Sequence, residues 1–232
     1  MKTIGIIPAR GGSKGIPRKN LVKILDKSLL QHAIIAAKGS RYIDKFFVST
    51  EDDEISQASK KLDCAVIKRP PSLSSDSSSS FDVIKHAIDF VEKEESFFPD
   101  FLVLIQPTAP FRDPFNIDEA MEIILNDDFD SVVSVAEVPS HFNPEWQLKI
   151  NHKGYLKKID DLMLSSISSQ RQKLPKTYFR NGAIYICKVD IIKKYNNIYG
   201  DNTAPYIMPF KSSINIDSYD DLELAQFLAN KK

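Results

Sequence analysis

The sequence predicts an α/β fold, a mostly parallel sheet with helices on both faces. Two observations carry that expectation. Short apolar, β-branched runs alternate with amphipathic stretches from Thr3 to Glu137, at a spacing suited to strand–helix–strand crossovers. The first of these runs stops at a glycine-rich loop, the usual appearance of a buried parallel strand.

Thr3 to Pro8 (TIGIIP) is the first strand, and Leu29 to Lys38 has helical apolar spacing that ends at Gly39, a residue favoured just past a helix end. Phe46 to Ser49 follows as a strand. Asp52 to Leu62 reads as a polar helix with acids at its start, where they complement the helix dipole. Ala65 to Lys68 is the third strand and Ser80 to Glu92 (SFDVIKHAIDFVE) a strongly amphipathic helix. Phe101 to Gln106 is a central strand, Asn116 to Asn126 a helix and Ser131 to Glu137 another strand. After Val138 the pattern breaks into short pieces such as WQLKI and YLKKI around Asn151 and Gly154, consistent with a hairpin in an inserted arm. Asn181 to Cys187 resumes the sheet, followed by a helix near Asp190 to Tyr195, a strand around Tyr206 to Met208, and the stretch Ser213 to Ile216. Ser218 and Asp221 resemble a capping pair for the last helix. A single domain over residues 1–232, with an arm at 139–175, is therefore expected. The serine-rich stretch from Ser72 to Ser80 is short and lies between a strand and a strong helix, which favours a functional loop over a linker.

The 31 Lys+Arg balance 31 Asp+Glu, so no bulk field favours nucleic acid or a membrane surface. No apolar run approaches the ~20 residues of a membrane helix. The start MKTIGIIPAR turns polar too soon for a signal peptide, so a cytoplasmic location is expected. Cys64 and Cys187 lie far apart beside apolar runs and read as buried, reduced thiols. Distribution says more than totals. Of 8 glycines, Gly5, Gly11, Gly12 and Gly15 fall near the amino end, which points to unusual backbone geometry there. Lys2, Arg10, Lys14, Arg18, Lys19 and Lys23 all precede the first acid, Asp26, making the amino end a basic patch.

Ligands of an open parallel sheet bind outside the carboxyl ends of its strands. The loops there carry Arg10, Gly11, Gly12, Ser13 and Lys14 after the first strand, with Lys19 and Asn20 beyond; Arg69 after the third; and Gln106, Thr108 and Arg112 after the fourth. Glycines that free backbone N–H groups, with Arg10 and Lys14 for charge-assisted bonds, suit a polyphosphate. A tight turn with solvated bases is the plain alternative. The G-x-x-x-x-G-K-[ST] and G-x-G-x-x-G spacings are absent, which removes the main support for a P-loop ATPase or a dinucleotide-binding dehydrogenase. His32, His86, His141 and His152 lack metal-ligand spacing and are assigned no chemistry.

The stretch Ile7 to Gly15 (IPARGGSKG), closed by Lys19 and Asn20, closely resembles the signature of the CMP-sialic acid synthetases, cytidylyltransferases that activate nonulosonic acids. Further matches occur in order over nearly the whole chain. They are Val48 to Thr50, Arg69-Pro70 with Leu73, Asp76, Ser79 and Ser80, Gln106 to Pro110 with Arg112, Arg171-Gln172 with Leu174-Pro175, Asn181 to Tyr185, and Ile216-Asp217. The resemblance implies a Rossmann-like nucleotidyltransferase fold. It implies the reaction of CTP with an N-acylneuraminate (sialic acid) to give CMP-sialic acid and pyrophosphate for cell-surface glycan synthesis, or the same reaction on legionaminic acid or another nonulosonate. By the same resemblance Arg10, Ser13 and Lys14 hold the triphosphate, Asn20, Arg69 and Ser80 lie around the cytidine, and Gly11, Gly12, Lys19 and Ser79 are further nucleotide-binding residues. Gln106, Thr108 and Asn181 belong to the sugar side. Asp217 matches a Mg²⁺-binding carboxylate, and Arg171 matches an arginine that reaches a neighbouring subunit's site, so residues 139–175 would be a homodimerisation arm. Arg10, Lys14 and Asp217 are the catalytic candidates.

The chemistry agrees with that reading, because attack of a sugar hydroxyl on an α-phosphate needs positioning and charge neutralisation more than a protein nucleophile. Asp217 alone reads equally well as a helix-start carboxylate. Where the family often has D-I-D, this chain has Asn215-Ile216-Asp217, an amide that can still ligate magnesium but brings no charge. That exchange also motivates the alternative of a CTP-binding module without catalysis. Trp146 stands where some sialic-acid-specific members carry a lysine. Its apolar face suits a deoxygenated, N-acylated sugar such as legionaminic acid, or it merely packs the arm.

Overall fold

A computed structural model describes residues 1–74, 79–167 and 169–231; Asp76 and the middle of the serine-rich stretch lie outside the described residues. In chain order the elements are β1 (Thr3–Pro8), β2 (Lys23–Ile24), β3 (Lys27–Ser28), α1 (Leu29–Gly39), β4 (Lys45–Thr50), α2 (Asp53–Lys60) and β5 (Ala65–Lys68). There follow α3 (Ser80–Glu94), β6 (Phe101–Leu104), α4 (Pro114–Asn126), β7 (Ser131–Glu137), β8 (Leu148–Ile150) and β9 (Leu156–Lys158). The chain closes with β10 (Tyr178–Lys188), α5 (Val189–Tyr195), β11 (Thr203–Ile207) and α6 (Tyr219–Ala229).

Seven strands form the main sheet in the order β11-β7-β10-β6-β1-β4-β5. β10 runs antiparallel to both of its neighbours, β6 and β7, and the other pairings are parallel. β1 is buried on both faces because its apolar residues point both ways: Ile4 and Ile6 join one core layer and Ile7 the other. Each of these sealed side chains contributes roughly 1.5–3 kcal/mol relative to an exposed one. The layer around Ile7 packs Val48 and Val103 against Ala33 of α1 and Ile117 of α4. The opposite layer packs Leu102 and Leu104 against Ile84 and Ile88 of α3 and Ile192 of α5. Helices therefore cover both faces, as the alternating sequence requires.

Helix starts follow the expected chemistry. The Ser28, Asp52 and Ser79 side chains accept from the N–H groups of Gln31, Ile55 and Asp82, and Ser218 with Asp221 forms a capping box on α6. Three features depart from the sequence reading. The pair β2–β3 is too short to leave a periodic signal. β11 (Thr203–Ile207) begins three residues before the strand expected around Tyr206 to Met208, and Ser213 to Ile216 runs as a connection after a short 3₁₀ turn. β10 begins three residues before Asn181 and carries a register shift between Arg180 and Tyr185.

Between β7 and β10 the chain holds short 3₁₀ turns and the separate β8–β9 hairpin. Asn143 ties the ends of this segment together, its Nδ2 donating to the Pro175 carbonyl at 2.9 Å. Both cysteines are buried free thiols, and burial pushes Cys64 up to about 11 and Cys187 up to about 12. Among the described residues no helix is long and apolar enough to cross a membrane.

Candidate active site

The carboxyl ends of β1, β5 and β6 open onto a cavity of about 420 Å³. Arg10, Gly12, Ser13, Lys19 and Asn20 line it from the glycine-rich loop, Arg69, Ser79 and Ser80 from the region after β5, Gln106 and Thr108 from the end of β6, and Asn215 and Asp217 from the connection before α6. Residues spread over most of the chain thus meet where an open parallel sheet presents its ligand site. Pro8, Leu73, Val83 and Pro107 supply the apolar part of the wall.

Two glycines of the loop, Gly11 and Gly15, answer to close approach rather than to left-handed backbone, whereas a Cβ on Gly12 would meet open space. A Cβ on Gly11 would lie 2.4 Å from Oδ2 of Asp52, and one on Gly15 would lie 2.2 Å from the carbonyl oxygen of Asp217. The left-handed turn of the segment falls instead on Arg18, at φ 55°. Asn20 closes the loop, its Nδ2 donating to the Arg10 carbonyl at 2.9 Å. The Gly11 N–H, expected to face phosphate, donates to Oε1 of Glu51 at 2.7 Å. Arg18 pairs with Asp52, with 3.0 Å between Nη2 and Oδ1, and also with Glu54. The Arg18 hydrogen bond holds the Asp52 carboxyl below its ordinary range. The amino-terminal basic patch is therefore partly matched by acids from the β4–α2 connection and α2, which no local reading of the first twenty-odd residues reveals. Glu51 and Asp52 are the site-region residues that the sequence reading missed; their signal was their place directly after a strand end.

Arg69 is buried and aimed by the end of β4, its Nη2 donating to the Ser49 carbonyl at 2.6 Å and its Nε to Ser49 Oγ at 3.3 Å. Burial lowers its pKa, Glu51 opposes that shift, and Arg10 adds to it. Ser79 and Ser80 reach the same cavity because they start α3, with Ser79 as its N-cap.

Asp217 stands two residues before α6, with its side chain 67% exposed. Lys19 Nζ lies 2.7 Å from Oδ1 and also donates to the Ile216 carbonyl at 2.9 Å; Asn215 Nδ2 donates to Oδ2 at 2.7 Å. The Ile216 N–H donates to the Thr108 carbonyl at 2.8 Å, which joins this segment to the loop after β6. Asn215, expected as a second metal ligand, is thus a donor to Asp217, and its buried Oδ1 has no hydrogen-bond partner among the described residues. Among the described residues no group of three His, Cys, Asp or Glu side chains could hold a metal by itself. One exposed carboxylate beside phosphate-suited groups nevertheless fits magnesium, which is commonly bound by one or two carboxylates together with substrate phosphates and waters.

Five predicted residues stand apart from the cavity wall: Gly11, Lys14, Trp146, Arg171 and Asn181. Asn181 is 1% exposed. Its Oδ1 accepts from Ser134 Oγ and the Ala183 N–H, and its Nδ2 donates to Ser213 Oγ, so its amide organises the β10 bulge and is not presented to a sugar. Arg171 donates through Nε to Ser140 Oγ at 2.8 Å, and Trp146 ends a 3₁₀ turn; within one chain both stay in the 139–175 segment.

The model of the cytidylyltransferase family matches residues 4–230. The chain belongs to that family. It is 35% identical over 223 residues to the N-acylneuraminate cytidylyltransferase of Streptococcus agalactiae serotype III, covering 95% of this chain and 52% of that protein. The chain thus spans about half the length of the N-acylneuraminate cytidylyltransferases that it matches. It is 33% identical over 232 residues to the CMP-N,N'-diacetyllegionaminic acid synthase of Legionella pneumophila, covering 98% of this chain and 96% of that one. A solved CMP:2-keto-3-deoxy-manno-octonic acid synthetase complexed with CTP superposes with a TM-score of 0.74 at 17% identity, covering 100% of this chain and 99% of that one. The nucleotidyltransferase fold expected from the sequence is the fold of this cytidylyltransferase-family chain.

Proposed function

We propose that the chain transfers CMP from CTP to a nonulosonic acid of the N-acylneuraminate class and releases pyrophosphate. The observation that carries this reading is the single cavity in which Arg10, Lys19 and Asp217 meet Arg69, Ser79 and Ser80. The kinship with N-acylneuraminate cytidylyltransferases supports it.

Attack of the acid's anomeric hydroxyl on the α-phosphorus breaks the bond to the β-phosphate. The protein's work is to hold two anions together and to neutralise the departing one. Arg10, Ser13, Lys14 and Lys19 receive the triphosphate; Asn20, Arg69, Ser79 and Ser80 receive the cytidine; Gln106 and Thr108 face the acid. Magnesium, when bound, neutralises the leaving pyrophosphate and lowers the pKa of the attacking hydroxyl, and Asp217 is the residue that would hold it. We place the reaction in the cytoplasm, the compartment that supplies CTP.

The working unit in this reading is a homodimer. Exposed apolar side chains gather in the 139–175 segment, among them Ile150, Tyr155, Leu162 and Met163, and a surface of this kind is usually covered by a partner. Arg171 and Trp146 then serve the site of the other subunit. Mixing Arg171→Ala with Asp217→Asn protein tests this, because each mixed dimer carries one site with an intact core and an intact arm. Activity should return to about a quarter of the wild-type value after exchange, as two-fold statistics require; no recovery contradicts a shared site.

Legionaminic acid is the second candidate, favoured by the near full-length match to the legionaminic acid synthase and by Trp146. Product analysis by mass spectrometry with CTP, magnesium and either N-acetylneuraminic or N,N'-diacetyllegionaminic acid decides between them. A CMP-sugar from one or the other is expected. CTP binding with no product from any nonulosonic acid would overturn the catalytic reading.

A further inference from the structure

We propose that Arg112 is a positioning residue: it replaces the missing rungs between β6 and β10 and so holds Gln106 and the Gly182 bulge in register on the acid-binding side of the cavity. β6 and β10 pair from Phe101–Lys188 to Leu104–Tyr185, and there the ladder stops. On its other edge β10 loses register with β7 between Arg180 and Tyr185, and Gly182 takes φ +72°, a conformation that favours glycine. The bulge is what lets the backbone come close to the catalytic wall. A Cβ on Gly182 would lie 2.9 Å from Oε1 of Gln106 and 3.3 Å from Oδ1 of Asn215.

Arg112 spans the gap that the bulge opens. Its Nη1 donates to the Ala183 carbonyl at 2.8 Å and to the Gln106 carbonyl at 3.1 Å, one acceptor in β10 and one just past the end of β6. A side chain thus does what backbone N–H groups do in the regular part of the sheet. Its position is protected, for the residue is only 3% exposed.

The choice of a guanidinium is informative. Its Nε and second terminal nitrogen have no hydrogen-bond partner among the described residues. Burial pushes its pKa down to about 9, opposed by the charge of Asp113, and it stays charged near neutrality. A buried cation is costly, and a neutral donor would serve two carbonyls at lower cost. The cost has a use where the cavity receives a nucleoside triphosphate and a sugar acid, because positive charge fixed behind Gln106 strengthens the field that meets them. Methionine lacks both donor and charge, whereas lysine keeps the charge and one donor nitrogen on a stem of different reach and so reproduces the pair of functions only in part.

The acid-side part of this inference rests on the proposed cytidylyltransfer reaction; the positioning part does not. Arg112→Met and Arg112→Lys are compared with wild type in two measurements. In the ligand-free protein, amide hydrogen exchange should quicken by about tenfold or more in peptides covering 105–110 and 180–185 in Arg112→Met, with the β1 and β4 peptides unchanged. In steady-state kinetics the KM for the sugar acid should rise about tenfold with the KM for CTP within about twofold, and Arg112→Lys should recover part of both effects. Exchange that quickens everywhere alike, or nowhere, overturns the positioning role, as does an equal rise in both KM values. Failure of Arg112→Lys to improve on Arg112→Met overturns it too, and this variant serves if Arg112→Met does not fold. Absence of turnover in the wild type itself contradicts the proposed reaction instead, leaving the exchange comparison to decide on Arg112.

Discussion

Gly15 lies against the backbone of Asp217, so close that a methyl group on its α-carbon would sit 2.2 Å from the Asp217 carbonyl oxygen. The glycine-rich loop and the carboxylate-bearing segment therefore fix each other's positions, although they come from opposite ends of the chain. Backbone cannot yield as a flexible side chain would. Gly15→Ala should fold with a loss of about 1–3 kcal/mol, typical of overpacking, and should lose turnover more severely than stability. Urea unfolding and CTP turnover on one preparation check this; unchanged turnover would mean that the contact does not position Asp217.

The pair formed by Lys19 and Asp217 separates function from stability. With the Asp217 side chain 67% exposed, the ion pair contributes at most about 1 kcal/mol. Asp217→Asn should therefore melt close to wild type while lowering kcat on the order of 10²-fold, a usual cost of losing one electrostatic contributor. It should also need more magnesium for half-maximal rate. Wild-type kcat in this variant would remove Asp217 from the proposed chemistry.

The Arg18–Asp52 pair has a pH signature. Its hydrogen bond depresses the folded-state pKa of Asp52, so its contribution is fully present above the unfolded carboxyl value of about 3.9. It is lost as pH falls through the lower folded value. Asp52→Asn keeps an N-cap for α2 but removes the charge. The stability gap between wild type and Asp52→Asn should hold at neutral pH and close below about pH 4. A gap that widens on acidification contradicts the assignment.

Asn181 offers a test between two roles. Its amide holds Ser134, Ser213 and the Ala183 N–H, and orphaning such buried groups costs about 2–3 kcal/mol. Asn181→Ala should lose stability of that order in denaturant unfolding. Full stability with a raised KM for the sugar acid alone would restore the direct sugar contact that the sequence motif suggested.

These residues show where sequence reading works and where it stops. The strands and helices from β1 to β7, apart from the two-residue β2 and β3, were legible because each is a continuous run whose periodicity matches the face it buries, as in Ile4, Ile6 and Ile7 of β1. The strand-end rule then located Arg10, Arg69 and Gln106 on one edge, and the resemblance added Asp217; all four line one cavity. Illegible were the partners that come from distant segments: Glu51 on the Gly11 N–H, Lys19 on Asp217, and the bulge that draws Gly182 to Gln106. The glycine cluster was visible, but the cause of Gly11 and Gly15 was not, because close approach to Asp52 and Asp217 leaves no local pattern. The setting of Asn181 was illegible for a related reason: a motif marks a residue's place in the chain without saying whether its amide faces a cavity or, as here, buried partners.

A crystal structure with bound CTP tests the central claim most directly. The triphosphate should lie on the Arg10 to Lys14 loop within reach of Lys19 and Asp217, with the cytosine between Arg69 and the start of α3. CTP bound elsewhere on the molecule, or a cavity that stays closed to it at saturating concentration, would contradict the proposed site.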